Sequence, residues 1–204
     1  MITVKICGIT QRAQAEMIAD LGVDFLGFIV VPNTPRYVPP DCLPPLVENL
    51  PKSVKTVCVF RNQSVGEVTS VINTCRLDAI QLHGQESLGF CQQIRELFPH
   101  KLLIKAIAVR GVSDLQLAQT YAKVIDVLLL DNGSGGTGKP IDWSLLTNFH
   151  SPCPWWLAGG LSPSNVKDAI TQTKPNGIDL SSGVEDAPGI KNIAKIAELL
   201  SVIR

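Results

Sequence analysis

One thiol, one ammonium group and several carboxylates fall where this 204-residue chain can use them for proton transfer. Lys5 and Cys7 sit two residues apart in the apolar run that opens the chain, so in an extended strand both point to one face. A lysine turned into an interior is costly unless paired, so an inward Lys5 asks for an anionic partner. The competing arrangement leaves Lys5 on the outer surface and packs Ile6 inward. Val4 and Ile6 are the apolar pair suited to face helices, which favours the inward lysine. Val127-Leu-Leu-Leu-Asp131 ends on a carboxylate and leads into a glycine-rich stretch. An Asp there either caps the following loop or faces a site, and the run alone leaves both open. Asp179-Leu-Ser181 again places alternate residues on one face.

Three glycine-rich segments can bring backbone N–H groups close to an anion: Gly133-Ser-Gly-Gly-Thr-Gly138, Ala158-Gly159-Gly160 and Ser181-Ser182-Gly183. Any one of them is explained by a tight turn. The first, with Lys139, matches G-x-x-x-x-G-K, but Pro140 follows. A phosphate-binding loop of nucleotide hydrolases needs Ser or Thr there to hold magnesium, so that reading fails. Arg36 lies in a segment carrying six of the 14 prolines: Pro32, Pro35, Pro39, Pro40, Pro44 and Pro45. Proline fixes φ and biases its predecessor toward extended backbone, so this is either a rigid linker or a preformed wall holding Arg36.

The elements that must position these groups recur along the chain. Short apolar runs appear at Val4–Ile9, Asp24–Val31, Val54–Phe60, Ala79–Leu82, Leu102–Ala108, Val124–Leu130, Trp155–Leu157 and Ile178–Leu180. Helix signals lie between them. Ser64-Val-Gly-Glu67 reads as a capping box, Ser162-Pro163 as a cap before an N-terminal proline, and the last helix carries Ile193, Ile196, Ala197 and Leu200 on one stripe. Continuously apolar strands alternating with helices predict a parallel sheet covered on both faces, and about eight such units close into a barrel. A doubly wound open sheet is disfavoured, because Cys7-Gly8-Ile9-Thr10 after the first strand is no dinucleotide fingerprint. The expected fold is α/β: one compact (β/α)8 barrel domain over residues 1–204. In such barrels the working residues lie at the C-terminal strand ends, with phosphate held by the loops after strands 7 and 8. The second and third glycine segments occupy those two places.

Composition narrows the partners. Eighteen Lys plus Arg balance 18 Asp plus Glu, which leaves no electrostatic footprint for nucleic acid or an anionic membrane. Hydrophobic residues reach 45%, well above disordered chains. The start lacks the pattern of a signal peptide, and Phe25 to Val31 is far short of the ~20 residues of a membrane span, so a cytoplasmic protein is expected. Six scattered cysteines (Cys7, Cys42, Cys58, Cys75, Cys91, Cys153) form no C-x-x-C pair and are expected reduced, all but Cys7 as buried packing residues. Three histidines far apart in sequence give no support for a zinc site.

These motifs, in order along essentially the whole chain, resemble the phosphoribosylanthranilate isomerases of tryptophan biosynthesis. The stretches that carry the resemblance are Lys5-Ile-Cys-Gly-Ile-Thr10, Thr34-Pro-Arg-Tyr-Val38, Gln81-Leu-His-Gly84, Leu130-Asp131 with its glycines, Ala158-Gly-Gly-Leu161 and Asp179-Leu-Ser-Ser-Gly-Val-Glu185. The first and last are the distinctive ones. The resemblance implies a (β/α)8 barrel and an Amadori rearrangement of N-(5-phosphoribosyl)anthranilate to 1-(2-carboxyphenylamino)-1-deoxyribulose 5-phosphate, with no metal or organic cofactor. It implies Cys7 as general base, Asp131 as general acid and Arg36 as partner of the anthranilate carboxylate. Gly159, Gly160, Ser181, Ser182 and Gly183 are then the phosphate cradle, and Asp179 faces the sugar hydroxyls. His83 falls in the family's Gln-Leu-His-Gly, although a packed, hydrogen-bonded histidine explains it equally well. The family contains monomers and homodimers. Departures from its pattern are Thr34 for a commoner serine, Cys58 where glycine is frequent, and Pro140-Ile-Asp-Trp143 for Thr-Phe-Asp-Trp. The sister isomerase of histidine biosynthesis is disfavoured, since it is expected to carry an aspartate base on strand 1 and a second phosphate site. A barrel that binds sugar phosphates without turning them over would need neither Cys7 nor Asp131.

Overall fold

The structure is a computed structural model that describes residues 2–133 and 141–204. The apolar runs form eight strands: β1 (Thr3–Cys7), β2 (Phe25–Ile29), β3 (Lys55–Phe60), β4 (Ala79–Leu82), β5 (Leu102–Ala108), β6 (Val127–Asp131), β7 (Trp155–Leu157) and β8 (Gly177–Leu180). They pair in chain order, all parallel, and β8 returns to β1 to close the (β/α)8 barrel expected from the sequence. Several strands are shorter than their apolar runs. Ile9 and Val30 lie just past the strand ends, are buried, and still donate to the neighbouring strands, the Ile9 N–H to the Gly27 carbonyl at 3.0 Å and the Val30 N–H to the Val59 carbonyl at 3.1 Å.

Alternation divides each strand between two cores. Phe25, Val57, Ala79, Ile104, Val127, Leu129 and Trp156 fill the barrel interior, whereas Val4, Ile6, Leu26, Cys58, Ile80, Leu128 and Ile178 belong to the layer beneath the helices. Cys58, where the family favours glycine, is therefore packed into the helix layer, away from the barrel interior. The helices are α1 (Arg12–Asp20), α2 (Leu43–Val47), α3 (Val65–Ile72), α4 (Leu88–Leu97), α5 (Val112–Tyr121), α6 (Val166–Thr173) and α7 (Ile193–Ile203). Among the described residues, β6 and β7 are joined only through a 3-10 turn at Trp143–Leu146. An antiparallel hairpin, β9 (Glu185–Ala187) with β10 (Ile190–Lys191), precedes α7. No helix among the described residues is long and apolar enough to cross a membrane.

The Ser64–Glu67 capping box forms as read, with both reciprocal hydrogen bonds. Three local expectations need correction. Helix α6 starts at Val166 after Asn165; the Asn165 side chain instead accepts from the Ser162 N–H, so Ser162-Pro163 opens a turn and not the helix itself. On α7 the buried stripe is Ile196, Leu199 and Leu200, with Ala197 exposed, because the helix turns its leucines toward the barrel. Of the cysteines outside β1 only Cys58 and Cys91 are buried; Cys75 and Cys153 are half-buried and Cys42 is exposed. Cys42 sits at the end of a short 3-10 turn, Pro40–Cys42, where no core faces it. The Gly133–Lys139 motif lies, beyond its first residue, outside the described residues.

The end of the barrel away from the loops described below is fastened by a repeated device. Asp24, just before β2, accepts the Val4 N–H of β1 at 2.8 Å. Asp78, before β4, accepts the Thr56 N–H of β3 at 2.8 Å; Asp126, before β6, accepts the Leu103 N–H of β5 at 2.7 Å. Asn176, before β8, does the same for the Trp155 N–H of β7 at 3.0 Å. Each even strand thus staples the N-terminal end of the odd strand before it, satisfying a donor left over where the ladder begins. Asp78 also accepts the Thr56 hydroxyl at 2.9 Å. Replacing Asp78 by alanine removes both bonds and is expected to lower the urea-unfolding free energy by about 1–3 kcal/mol. A loss no larger than that of Asp20→Ala, at an exposed position of α1, would remove the staple from this account.

Candidate active site

At the C-terminal strand ends the interior face changes from apolar to ionisable. On β1, Lys5 is fully buried and Cys7 is 6% exposed above it. The register that closes the barrel sets Lys5 beside Asp179 of β8, and their side chains meet at 2.8 Å. The inward reading of Lys5 holds, and its anionic partner is Asp179. Space for this stack comes from Gly27 of β2, where an added Cβ would lie 2.8 Å from the Cys7 Sγ and 3.1 Å from the Lys5 Cε. Cys7 and Asp179 open into a cavity of about 190 Å³ lined also by Arg36, Gln81, His83, Asp131, Gly159, Gly160, Ser181, Ser182 and Gly183, with Lys5 behind its wall. Every site residue assigned from the sequence therefore faces one cavity, at the end of the barrel where that assignment placed it.

Asp131 ends β6 and is mostly buried. Its Oδ2 lies 3.3 Å from His83 Nε2, and His83 Nδ1 lies 2.8 Å from Gln81 Nε2. The Gln81 amide N–H donates to Nδ1, which leaves the proton on Nε2, facing Asp131. Burial pushes the Asp131 carboxyl up, but His83 and the N–H groups of Asn132 and Gly133 outweigh it and hold the carboxyl below its usual range. Cys7 goes the other way: burial pushes the thiol up, and Lys5 and Lys191 recover part of that shift. Asp179 is raised by burial against the pull of Lys5. Two buried acceptors, Gln81 Oε1 and Asp179 Oδ1, have no hydrogen-bond partner among the described residues, and both residues line the cavity.

Arg36 is held differently from a surface arginine. It is 9% exposed, and its Nε lies 2.9 and 3.2 Å from the two carboxylate oxygens of Glu185, with Nη2 at 2.6 Å. The fork is thus engaged along one edge, and Nη1 makes no hydrogen bond among the described residues. Gly8, at φ +80°, follows β1 and lets Arg36 cross directly over the backbone; an added Cβ would come 2.4 Å from the Arg36 Cδ. The proline-rich segment supplies the wall: the Thr34 hydroxyl donates to the Val31 carbonyl at 2.8 Å, and Tyr37 bridges to Ile29 of β2. Thr34 therefore performs the turn-fixing role open to serine. Across the cavity, the segments after β7 and β8 form the glycine wall, with a 3-10 turn starting at Ser182. The first N–H groups of such a turn have no partner within it and are available to an anion.

Several residues of this constellation were not singled out from the sequence. Gln81 fixes His83, and Glu185 and Lys191 of the hairpin hold Arg36. Beneath the loops, Lys105 of β5 points into the helix layer and meets Glu86 at 2.9 Å, both buried. Glu86 also accepts the N–H groups of Asn62 and Gly84 at 2.8 and 2.9 Å, so one buried ion pair ties down the segments after β3 and β4, including His83. A lysine at the centre of the apolar run Leu102–Ala108 is the sequence signal that points to this pair. A wider cavity, about 490 Å³, adjoins the first above β4 to β6 and shares Arg61, His83 and Asp131 with it.

Comparison with known proteins agrees with this geometry. The sequence profile described as N-(5'phosphoribosyl)anthranilate (PRA) isomerase matches residues 4–202. The N-(5'-phosphoribosyl)anthranilate isomerase of Thermosynechococcus vestitus is 48% identical over 204 residues, covering 98% of this chain and 89% of the relative. The crystal structure of phosphoribosyl anthranilate isomerase from Thermotoga maritima superimposes with a TM-score of 0.89 at 35% identity, covering 99% and 98% of the two chains. A phosphoribosyl anthranilate isomerase crystallised with reduced 1-(o-carboxyphenylamino)-1-deoxyribulose 5-phosphate matches with a TM-score of 0.87 at 34% identity, over 98% and 97% of the chains. The charged stack of β1 and β8, the carboxylate ending β6 and the two glycine walls thus stand in a chain that belongs to the N-(5'-phosphoribosyl)anthranilate isomerase family.

Proposed function

We propose that this chain, as one barrel domain over residues 1–204 acting in the cytoplasm as a monomer or homodimer, rearranges N-(5-phosphoribosyl)anthranilate to 1-(2-carboxyphenylamino)-1-deoxyribulose 5-phosphate, with Cys7 as general base and Asp131 as general acid. The observation that carries this assignment is the placement of one thiol and one carboxylate, at the ends of β1 and β6, on a single cavity that also holds a braced arginine and two glycine walls. The glycine wall at Gly159, Gly160, Ser181, Ser182 and Gly183 takes the ribose phosphate. Arg36 takes the anthranilate carboxylate through the part of its guanidinium that Glu185 leaves uncovered. Gln81 Oε1 and Asp179 Oδ1 accept from the sugar hydroxyls.

With the substrate held at both ends, Asp131 gives its proton to the furanose ring oxygen, and the C1–O bond breaks as the nitrogen lone pair forms the Schiff base. The Cys7 thiolate removes the C2 proton, and the C–H electrons move to make the enolamine, which tautomerises to the ketone. No atom is gained or lost. In the resting site the one proton of the pair sits on sulfur, since burial raises Cys7 while hydrogen bonds lower Asp131. A phosphate and a carboxylate entering the cavity favour the neutral form of Asp131, and the proton held on sulfur passes to that carboxylate, which leaves the thiolate and the protonated acid that the reaction starts from. Lys5 and Lys191 remain beside the sulfur to hold the thiolate.

Following the loss of anthranilate fluorescence on mixing with fresh N-(5-phosphoribosyl)anthranilate in EDTA, Cys7→Ser and Asp131→Asn are each expected to lower kcat by about 10²–10⁴-fold. Full activity in Cys7→Ser would keep the reaction and discard the base; inactivity of the parent chain would discard the reaction. A second measurement concerns the thiol itself. Lys5 opposes the rise of the Cys7 pKa more strongly than Asp179 adds to it, so in Lys5→Met the thiol is expected to titrate higher than in the parent. An unchanged or lower thiol pKa, followed by thiolate absorbance, would show that Lys5 does not support the base.

A further inference from the structure

Among the described residues Arg36 pairs with Glu185, and Glu185 in turn with Lys191. Glu185 is 8% exposed and takes the Nε–Nη2 edge of the guanidinium. Its Oε1 also accepts from Lys191 Nζ at 2.6 Å and from the Gly189 N–H at 3.2 Å. Lys191 is 3% exposed, deep for a lysine, and its backbone is clamped by Gln14 of α1, which donates to the Lys191 carbonyl at 2.9 Å and accepts its N–H at 3.1 Å. The ammonium group also reaches the Ser181 carbonyl and hydroxyl, both at 3.4 Å, on the glycine wall. Hairpin β9–β10 thus presents one anion and one cation, in contact, to the arginine of the proline-rich segment, more than a hundred residues earlier in the chain.

An arginine paired with a single carboxylate is neutral as a unit and offers an incoming carboxylate little attraction. An arginine braced by a carboxylate that a second buried cation has already neutralised keeps its whole charge. We propose that Glu185 and Lys191 are positioning residues for Arg36: Glu185 fixes the guanidinium by one edge, and Lys191 cancels the charge of Glu185, so that Arg36 meets the substrate's aryl carboxylate as an uncompensated cation. This rests on Arg36 being the carboxylate clamp. The two roles have opposite electrostatic signs. Losing Lys191 makes the cluster one charge more negative, and losing the charge of Glu185 makes it one charge more positive. Positioning and charge compensation together require that both losses weaken recognition of the carboxylate.

The test uses two stable ligands, reduced 1-(o-carboxyphenylamino)-1-deoxyribulose 5-phosphate and its counterpart without the ring carboxylate, titrated calorimetrically into the full chain. The ratio of their dissociation constants measures recognition of the carboxylate and cancels losses common to both. Arg36→Met is expected to remove the preference; a preference intact there would end the clamp assignment itself. With that control met, Lys191→Met and Glu185→Gln are each expected to cut the ratio by about ten-fold. Lys191→Gln and Glu185→Asp serve where thermal unfolding shows that a first variant is not folded. A ratio that stays at the parent value in the Lys191 variants, with both ligands weakened equally, would make Lys191 merely structural. A ratio unchanged or increased in Glu185→Gln would show that the carboxylate only opposes the substrate. Either result overturns the proposal while leaving the Arg36 clamp in place.

Discussion

The ion pair between Lys5 and Asp179 fixes how the barrel closes and what its open end can do. β1 and β8 are the two ends of the sheet, and their pairing sets these residues side by side in the barrel interior, with Asp179 on the cavity floor. A register slip of one residue in either strand would turn its charge into the helix layer and its apolar neighbours, Val4 and Ile6 on β1 or Ile178 and Leu180 on β8, into the barrel. Breaking such a buried pair costs about 3–5 kcal/mol, because the survivor is left as an uncompensated charge. The closure is therefore specific, and Cys7, two residues beyond Lys5, is delivered to the cavity with a cation already beneath it.

Much of this was legible because it rests on period two. Lys5 and Cys7 share a face by spacing alone, Asp131 falls at a strand end that the apolar runs mark, and Asp179 interrupts the last of those runs. The glycine walls and Arg36 were legible through motif order. The partners Glu185, Lys191 and Gln81 were not, although two of them lie within or beside quoted motifs. The roles of Glu185 and Lys191 depend on which segments meet across the barrel mouth, whereas Gln81 lies only two residues from His83, a spacing that period two could have shown. The contact between Arg36 and Glu185 spans 149 residues, and no local pattern encodes it. Local signals failed where context overrode them: Ser162-Pro163 looks like a helix start, but Asn165 binds the Ser162 N–H and the helix begins later.

The buried charges of the molecule occupy two levels with different work. Lys105 and Glu86 lie outside the barrel wall and are fully satisfied: Lys105 Nζ reaches the Gly84 carbonyl at 2.8 Å as well as Glu86. This pair holds the backbone of the segments after β3 and β4, from which His83 extends to Asp131. The stapling aspartates do the corresponding work at the opposite end. The fold thus spends its structural carboxylates on backbone N–H groups and its interior ones on cations and the cavity.

That division explains why Asp131 is the carboxylate suited to carry a mobile proton. Among the described residues, three buried cations and three buried carboxylates lie on the cavity wall or directly behind it: Lys5, Arg36 and Lys191 with Asp131, Asp179 and Glu185. Asp179 is tied to Lys5, and Glu185 to both Lys191 and Arg36. Asp131 alone of the three carboxylates has an imidazole as its side-chain partner among the described residues, and an imidazole holds a carboxylate's charge less firmly than an ammonium or guanidinium group. When a phosphate and a carboxylate enter, the balance tips toward negative charge; Asp179, though raised by burial, keeps the Lys5 ammonium against it, and the added charge raises Asp131 from the low value its hydrogen bonds give it. A proton taken up there lies at the end of β6, on the same cavity as Cys7. On the proposed assignment, the substrate's own charges load the acid that opens its ring.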